Sequence, residues 1–492
     1  MAAESSARTA AARTAPPVTP LRVFSPLFRS SSRVSGPVFT TELCRDAGRF
    51  AELAPVWNEL YRCSRTATPF QSHSWLHSWW LSYGNRRGLR VLLVRRGTKL
   101  VAAAPLMLVH RPLPVLVQLG GSISDFSDVL LHDDCAEAAA AELAKSLAEL
   151  ARTAVIDLRE VRPGAAAERI FACWAGPRRK LDDSLCLELP GVPMDELLGR
   201  LTSSRAQRAR AKLRKLDALG IEERVVPKDE IPAAVGRLLE LHRLQWQGRG
   251  VTPEHLSARF ADHLTRSVRS MTEYGDARLT EFRLSGAVVA ADLTLMSGRL
   301  EGGYLYGADP ALRARKVDVA TMLLRSGAQR ISASGRATLS MLRGNEPYKH
   351  HWRPESVRNQ RLLLARPHLA PSLQLLVARA AGRDRAAALV KRLRGGGAGG
   401  GPRTPPPRTG GVAGQPSSRC DQLRRMQILP PSHFSTQGPR SSGRQFRGGC
   451  VGVGIGGSVG VGTGSGLNPY SRARYIFDDL GFCPHCQTPC GQ

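Results

Sequence analysis

One local plan occurs twice in this 492-residue chain, and the duplication limits the folds open to it more than any other feature. Residues 90–108 (RVLLVRRGTKLVAAAPLML) read as two antiparallel strands joined by a glycine-containing turn. Residues 278–296 (RLTEFRLSGAVVAADLTLM) repeat the plan, with Gly286 in the turn. There Val289-Ala290-Ala291 opens the second strand, one residue nearer the turn than Val101-Ala102-Ala103 in the first copy. Helical periodicity precedes each hairpin, over 45–62 and 72–83 before the first and over 230–247 and 253–274 before the second. Two related α/β lobes are the economical interpretation. Pro/Gly punctuation sets boundaries near Pro190-Gly191 and Arg366-Pro367. The chain therefore divides into a leader (1–37), an N-terminal lobe (38–190), a C-terminal lobe (191–366), a basic helical extension (367–396) and a low-complexity tail (397–492).

No apolar run approaches the roughly 18 residues that a membrane helix needs, and the Ala/Ser/Arg-rich N-terminus lacks the apolar stretch of a secretory signal. A disordered leader is expected. Cys44, Cys63, Cys135, Cys173 and Cys186 show no paired spacing, which fits reduced thiols and a cytoplasmic location. The tail ends in Cys483-Pro484-His485-Cys486 and Cys490, half of a zinc ribbon; structural zinc needs four ligands, so no metal is expected.

A formal charge of +29 asks for an acidic partner. The charge is spread along the chain, and aromatics, at 6%, do not interleave with it as stacking platforms for single-stranded nucleic acid would. One concentrated patch, Arg205, Arg208, Arg210, Lys212, Arg214 and Lys215, wraps a predicted helix. It is either a solvated face or a surface for an anionic ligand. Trp75, Trp79 and Trp80 fall on one helical face and its neighbour and suit core or lobe-interface packing.

The densest cluster of chemistry is Leu342-Arg343-Gly344-Asn345-Glu346-Pro347-Tyr348-Lys349-His350-His351-Trp352. An alternating stretch over 338–342 predicts a strand before it, so Gly344-Asn345 turns the chain at a strand's carboxyl end, where open α/β sheets place ligands. Pro347, Tyr348 and Trp352 equally suit a short helix anchored to a core. From Ser340 to Trp352 the segment resembles the L-R-G-x-E-x-Y-K-x-x-W signature of the GNAT-type acetyltransferase domain in bacterial cellulose-biosynthesis (CelD-type) proteins, with Ser340 where that family has Asp. Tyr304-Leu305-Tyr306-Gly307-Ala308-Asp309-Pro310 resembles its Y-x-Y-G-x-D-P strand and turn, and His242-Arg243-Leu244-Gln245-Trp246 its H-x-x-R-W helix. Residues 202–220 resemble its basic helix, and Asp125-Phe126-Ser127-Asp128 its D-Y-x-D turn. The likeness spans about residues 50–366, and the duplication is similar to the paired lobes of the distantly related Fem-type peptidyltransferases.

The resemblance implies an α/β chain of two tandem GNAT-like (acyl-CoA N-acyltransferase) lobes, with mixed sheets flanked by helices. It also implies transfer of an acetyl or other acyl group from acyl-CoA to an amine, a hydroxyl or a saccharide acceptor, in polysaccharide or cell-envelope biosynthesis. The alternatives are an aminoacyl-tRNA donor, as in Fem-type proteins, or a non-catalytic scaffold in exopolysaccharide assembly. By analogy the strand over 301–307 carries the donor arm, and a helix beginning near Val317 offers its N-terminus to the pyrophosphate. An ordinary GNAT enzyme has glycine at this junction; here stand Arg315-Lys316-Val317-Asp318-Val319-Ala320, with Asp318 at the glycine position.

Acyl transfer needs a base for the acceptor and an acid for the leaving group. Glu346, His242 and Asp309 are candidate bases, and Tyr306 and Tyr348 candidate acids. Each also fits a structural role: Glu346 as a helix cap, Asp309-Pro310 as a turn, His242 as a helix histidine. Arg315, Lys316, Tyr304 and Arg343 are candidates for the donor site, and Lys349, Trp246, Asp309 and Asp125 for the acceptor.

Overall fold

The computed structural model describes residues 38–395 except 86, 111 and 248–251, so the leader, the low-complexity tail and its cysteines lie outside the described residues. Among the described residues, those through Val377 make one compact unit; a second begins at Ala378, within the helix Ala370–Gly395.

Thirteen strands form one sheet: β1 (Phe39–Cys44), β2 (Leu89–Arg96), β3 (Lys99–His110), β4 (Pro114–Gln118), β5 (Leu130–Leu131), β6 (Val155–Val161), β7 (Arg178–Pro190), β8 (Glu222–Val225), β9 (Ala277–Leu284), β10 (Ala287–Met296), β11 (Leu300–Ala308), β12 (Thr338–Arg343) and β13 (Glu355–Leu364). Their order is β1-β2-β3-β4-β6-β13-β7-β12-β11-β10-β9-β8, with β5 beside β3. Both expected hairpins form, as β2–β3 and β9–β10. The second turns on Ser285-Gly286, both at positive φ (51° and 81°), as a two-residue type I′ turn requires.

The two halves match in topology. Each contains one parallel contact, β4 with β6 and β11 with β12. Each is then completed by a strand from elsewhere in the chain: β7 precedes the second half yet pairs with its β12, and β13 ends the second half yet pairs with β6 of the first. β7 and β13 pair with each other over most of their length. One sheet therefore runs unbroken through both halves.

Helices cover the sheet. Ser72 starts His73–Tyr83 by accepting from the Trp75 amide, and Ser257 starts Ala258–Glu273 in the same way. Trp75, Trp79 and Trp80 are buried; Trp75 packs edge-on against Phe70 and Tyr304. Helix Ile231–Gln245 lies directly on β11: a Cβ at Gly307 would stand 2.3 Å from the His242 nitrogen and 2.7 Å from the Leu238 oxygen. Backbone atoms cannot swing aside, so Gly307→Ala is expected to lower the unfolding free energy by about 1–3 kcal/mol through overpacking. Gly303→Ala is the control. Its methyl would meet only Asp292 Oδ1, at 3.5 Å, and its urea midpoint should stay close to that of the native protein.

Candidate functional site

The parallel contact between β11 and β12 lasts three residue pairs, Leu300–Thr338, Glu301–Leu339 and Gly302–Ser340. Beyond it the two strands run on without pairing to each other. Both are irregular at that point. The register of β11 with β10 passes from Gly303 to Leu305 and leaves Tyr304 as the extra residue, while β12 slips against β7 between Ser340 and Arg343, with Leu342 at φ 57°. Bulges of this kind end pairing and re-aim side chains.

A buried charged cluster gathers around Arg343 at the end of β12. Arg343 donates through Nε to Asp125 (2.7 Å), through Nη1 to Glu160 (2.9 Å) and through Nη2 to the Ser122 carbonyl (2.6 Å). Glu160 stands at φ 54° in β6 and also accepts from Ser184 and from Asn359 Nδ2, which in turn donates to the Asp125 carbonyl. Lys349, also buried, donates to the Arg343 carbonyl (2.9 Å) and pairs with Glu346 (2.8 Å). The Glu346 carboxylate folds over Gly344 (φ 118°), where a Cβ would lie 2.5 Å from its oxygens. The short turn Lys349–Trp352 has Tyr348 as its N-cap residue, without a side-chain capping bond, and Glu346 is the ion-pair partner of Lys349 and not a cap. Tyr304 hydroxyl donates to the Ile123 carbonyl (2.8 Å); burial first, then the Asp125 charge, pushes its pKa well above the usual phenol value. Arg343, Asp125, Lys349, Glu346 and Tyr304 thus come together. Glu160 and Asn359, which belong to no motif, join them.

A second group lies along β11. His242 Nδ1 stands 2.7 Å from the Tyr306 carbonyl, and its Nε2 3.1 Å from Nδ1 of His255. A carbonyl only accepts, so His242 carries a proton on Nδ1; when the ring is neutral its Nε2 accepts from the His255 Nδ1–H, and when it is cationic it donates to His255. Both rings are buried, and His255 stacks on Phe260. Trp246 is tilted against His242 at 6.4 Å. Tyr348 is exposed and lies in the loop after β12.

The third group surrounds the helix Val319–Ser334. Asp309 accepts from the Ala311 amide and caps the short helix Pro310–Ala314; Arg315 and Lys316 are exposed. The long helix begins at Val319, two residues past Val317, with Asp318 as its N-cap accepting from the Thr321 amide (2.9 Å). Lys212, on helix Ser203–Ala218, reaches the same carboxylate at 2.5 Å. Burial pushes the Asp318 carboxyl up, but Lys212 and the Thr321 amide outweigh it and hold the pKa below the ordinary value. The end that would receive a pyrophosphate already holds an anion. Beside it Arg205, Arg208, Arg210, Arg214 and Lys215 are exposed, while Ala206, Ala209 and Leu216 face the core.

Among the described residues no three His, Cys, Asp or Glu side chains are arranged to hold a metal ion, and no helix is long and apolar enough to cross a membrane.

Residues 203–350 match the family model of the acetyltransferase (GNAT) domain. No curated protein matches the chain. Solved structures similar to it include FemX, at 12% identity and a TM-score of 0.48 over 65% of this chain and 98% of that one. The C-terminal domain of a putative lysylphosphatidylglycerol synthetase from Agrobacterium fabrum is similar at 10% identity and a TM-score of 0.44, over 67% and 95%. A tandem GNAT protein from the clavulanic acid biosynthesis pathway is similar at 12% identity and a TM-score of 0.35, over 67% and 99%. The fold is mixed α/β and GNAT-like, a large mixed sheet flanked by helices, and the family match falls on the half that holds β11, β12 and the Asp318 helix.

Proposed function

We propose that this chain is an acyltransferase whose donor arm lies in the opening between β11 and β12 and whose acceptor is an amine or a hydroxyl. The observation that carries the reading is the parallel β11–β12 contact, which stops after three pairs with a bulge in each strand, inside the region that matches the GNAT domain. Past Gly302, β11 has no β12 ladder, and in this reading an extended amide-bearing arm such as the pantetheine of acetyl-CoA or another acyl-CoA runs along that edge. The first acceptor to consider in this reading is a sugar or a cell-envelope precursor.

The His242–His255 pair serves as the base. As the acceptor attacks the carbonyl carbon, its proton passes to His255, and the His255 Nδ1–H shifts to His242 Nε2. The resulting imidazolium is held by the Tyr306 carbonyl. Tyr348, exposed in the loop after β12, protonates the leaving group. Arg343 and Lys349 fix the end of β12, and Glu346 holds Lys349; their ion pairs leave them better suited to shaping the site than to grasping substrate.

One observation favours a second donor. Asp318, ion-paired to Lys212, occupies the N-terminal end where a coenzyme A pyrophosphate would bind, and the exposed basic helix beside it suits a polyanionic donor such as aminoacyl-tRNA. Calorimetric titration of acetyl-CoA into the native protein and into Asp318→Gly tests the choice. Under the acyl-CoA reading both bind, and the variant binds about tenfold more tightly, because a like charge is removed while glycine still caps acceptably. Heat from neither points to the RNA donor, whose binding should weaken steeply with added salt.

A further inference from the structure

A groove of about 240 Å³ runs between helices Ala54–Arg62 and His73–Tyr83 of the first half and Ala258–Glu273 of the second, away from β11 and β12. Its polar lining includes Asn58, Ser74, His77, Arg266, Ser270 and Tyr274, and none of its lining residues is Asp or Glu. Arg266 donates to the Ser82 hydroxyl and, at 3.5 Å, to the Ser78 carbonyl, and among the described residues it has no carboxylate partner. Neither ring nitrogen of His77 has a hydrogen-bond partner among the described residues, nor has the Asn58 amide. Both residues are half-buried. The His77 ring is fixed by stacking on His73 (5.3 Å between centroids, 19° between planes) and by the Phe50 edge, and His73 is itself anchored to the Phe50 carbonyl at 2.8 Å. The Ser74 and Ser270 hydroxyls meet across the groove at 2.8 Å.

A preset imidazole, an amide, two hydroxyls and a guanidinium without a carboxylate make a donor-rich cradle whose only permanent charge is positive. Guanidinium and imidazole donors of this kind match the oxygens of a carboxylate or phosphate. We propose that the groove is a binding site for a small oxyanion-bearing molecule, an organic acid or a phosphate monoester, with Arg266 and His77 as its principal contacts. A ligand seated there touches helices from both halves of the sheet and so links them.

The test is titration of the full chain, labelled with ¹⁵N-histidine, with sodium phosphate and, separately, with succinate. The His77 signal is assigned from a His77→Gln variant. The expected result is a saturable shift of the His77 nitrogens, with a dissociation constant on the order of 1 mM or below for at least one probe. Arg266→Ala should weaken it at least tenfold, while Arg179→Ala, an exposed arginine elsewhere, leaves it unchanged. A phosphate response without a succinate response assigns a phosphate ester, and the converse an organic acid. A shift that stays linear, or that both arginine variants reduce equally, means an ion atmosphere only and overturns the proposal, as does no shift from either probe.

Discussion

Arg343→Ala should lower the unfolding free energy by about 3–5 kcal/mol, the range for breaking a buried ion pair by removing one partner. The Arg343 side chain is 7% exposed, that of Asp125 0% and that of Glu160 11%. Alanine would leave two carboxylates sharing a dry site and strip the Ser122 carbonyl of its donor. A loss of this size is a large part of the roughly 5–15 kcal/mol that holds a domain folded. Because Asp125 and Glu160 belong to the first half and Arg343 to β12, the loss falls on the junction. The control is Arg343→Met with Asp125→Asn and Glu160→Gln, which removes all three charges together. It should recover at least half of the loss, since uncompensated carboxylates dominate the cost and the absent attraction contributes less. Urea unfolding followed by tryptophan fluorescence reads both. A loss under about 1 kcal/mol for Arg343→Ala would show that the cluster is open to water and would return Arg343 to the ligand-binding candidates.

Which of these features the sequence reveals depends on how local their causes are. Both hairpins are visible because alternation and a Gly turn are decided within about twenty residues. The β7 and β13 exchange is invisible, because nothing within Arg178–Pro190 or Glu355–Leu364 names a partner; both join strands distant in the chain. Arg343 stands out in its motif, yet its role depends on Glu160, one of the two acids, with Asp157, in the largely apolar strand VIDLREV. That placement was the available signal, since an acid there must be paired or strained. Asp318 stands out in the sequence at an expected glycine position, but its role as the helix cap that accepts from the Thr321 amide comes from the structure. His255 carries no pattern at all. It lies in the short turn Pro253–Leu256, and only the return of the chain onto helix Ile231–Gln245 brings it to His242.

That pair gives the second large effect. If proton transfer runs from acceptor to His255 and on to His242, then His255→Ala and His242→Ala should each lower kcat by about 10²–10⁴, the usual worth of a positioned general base. The double variant should fall no further than the worse single one, because members of a relay act as a unit. Two histidines with independent packing roles behave otherwise: each costs stability, the losses add, and kcat per folded molecule holds. The tautomers make the relay directional. The Tyr306 carbonyl fixes the His242 proton on Nδ1, which leaves Nε2 to accept from His255, and transfer turns His242 into an imidazolium with that carbonyl still accepting from it. Release of free thiol from acetyl-CoA in the presence of an amine acceptor measures kcat, and far-ultraviolet circular dichroism of each variant checks folding. Additive losses in kcat would remove the pair from the chemistry. Glu346 would then be the next candidate base, and it would first have to leave Lys349, which holds it at 2.8 Å.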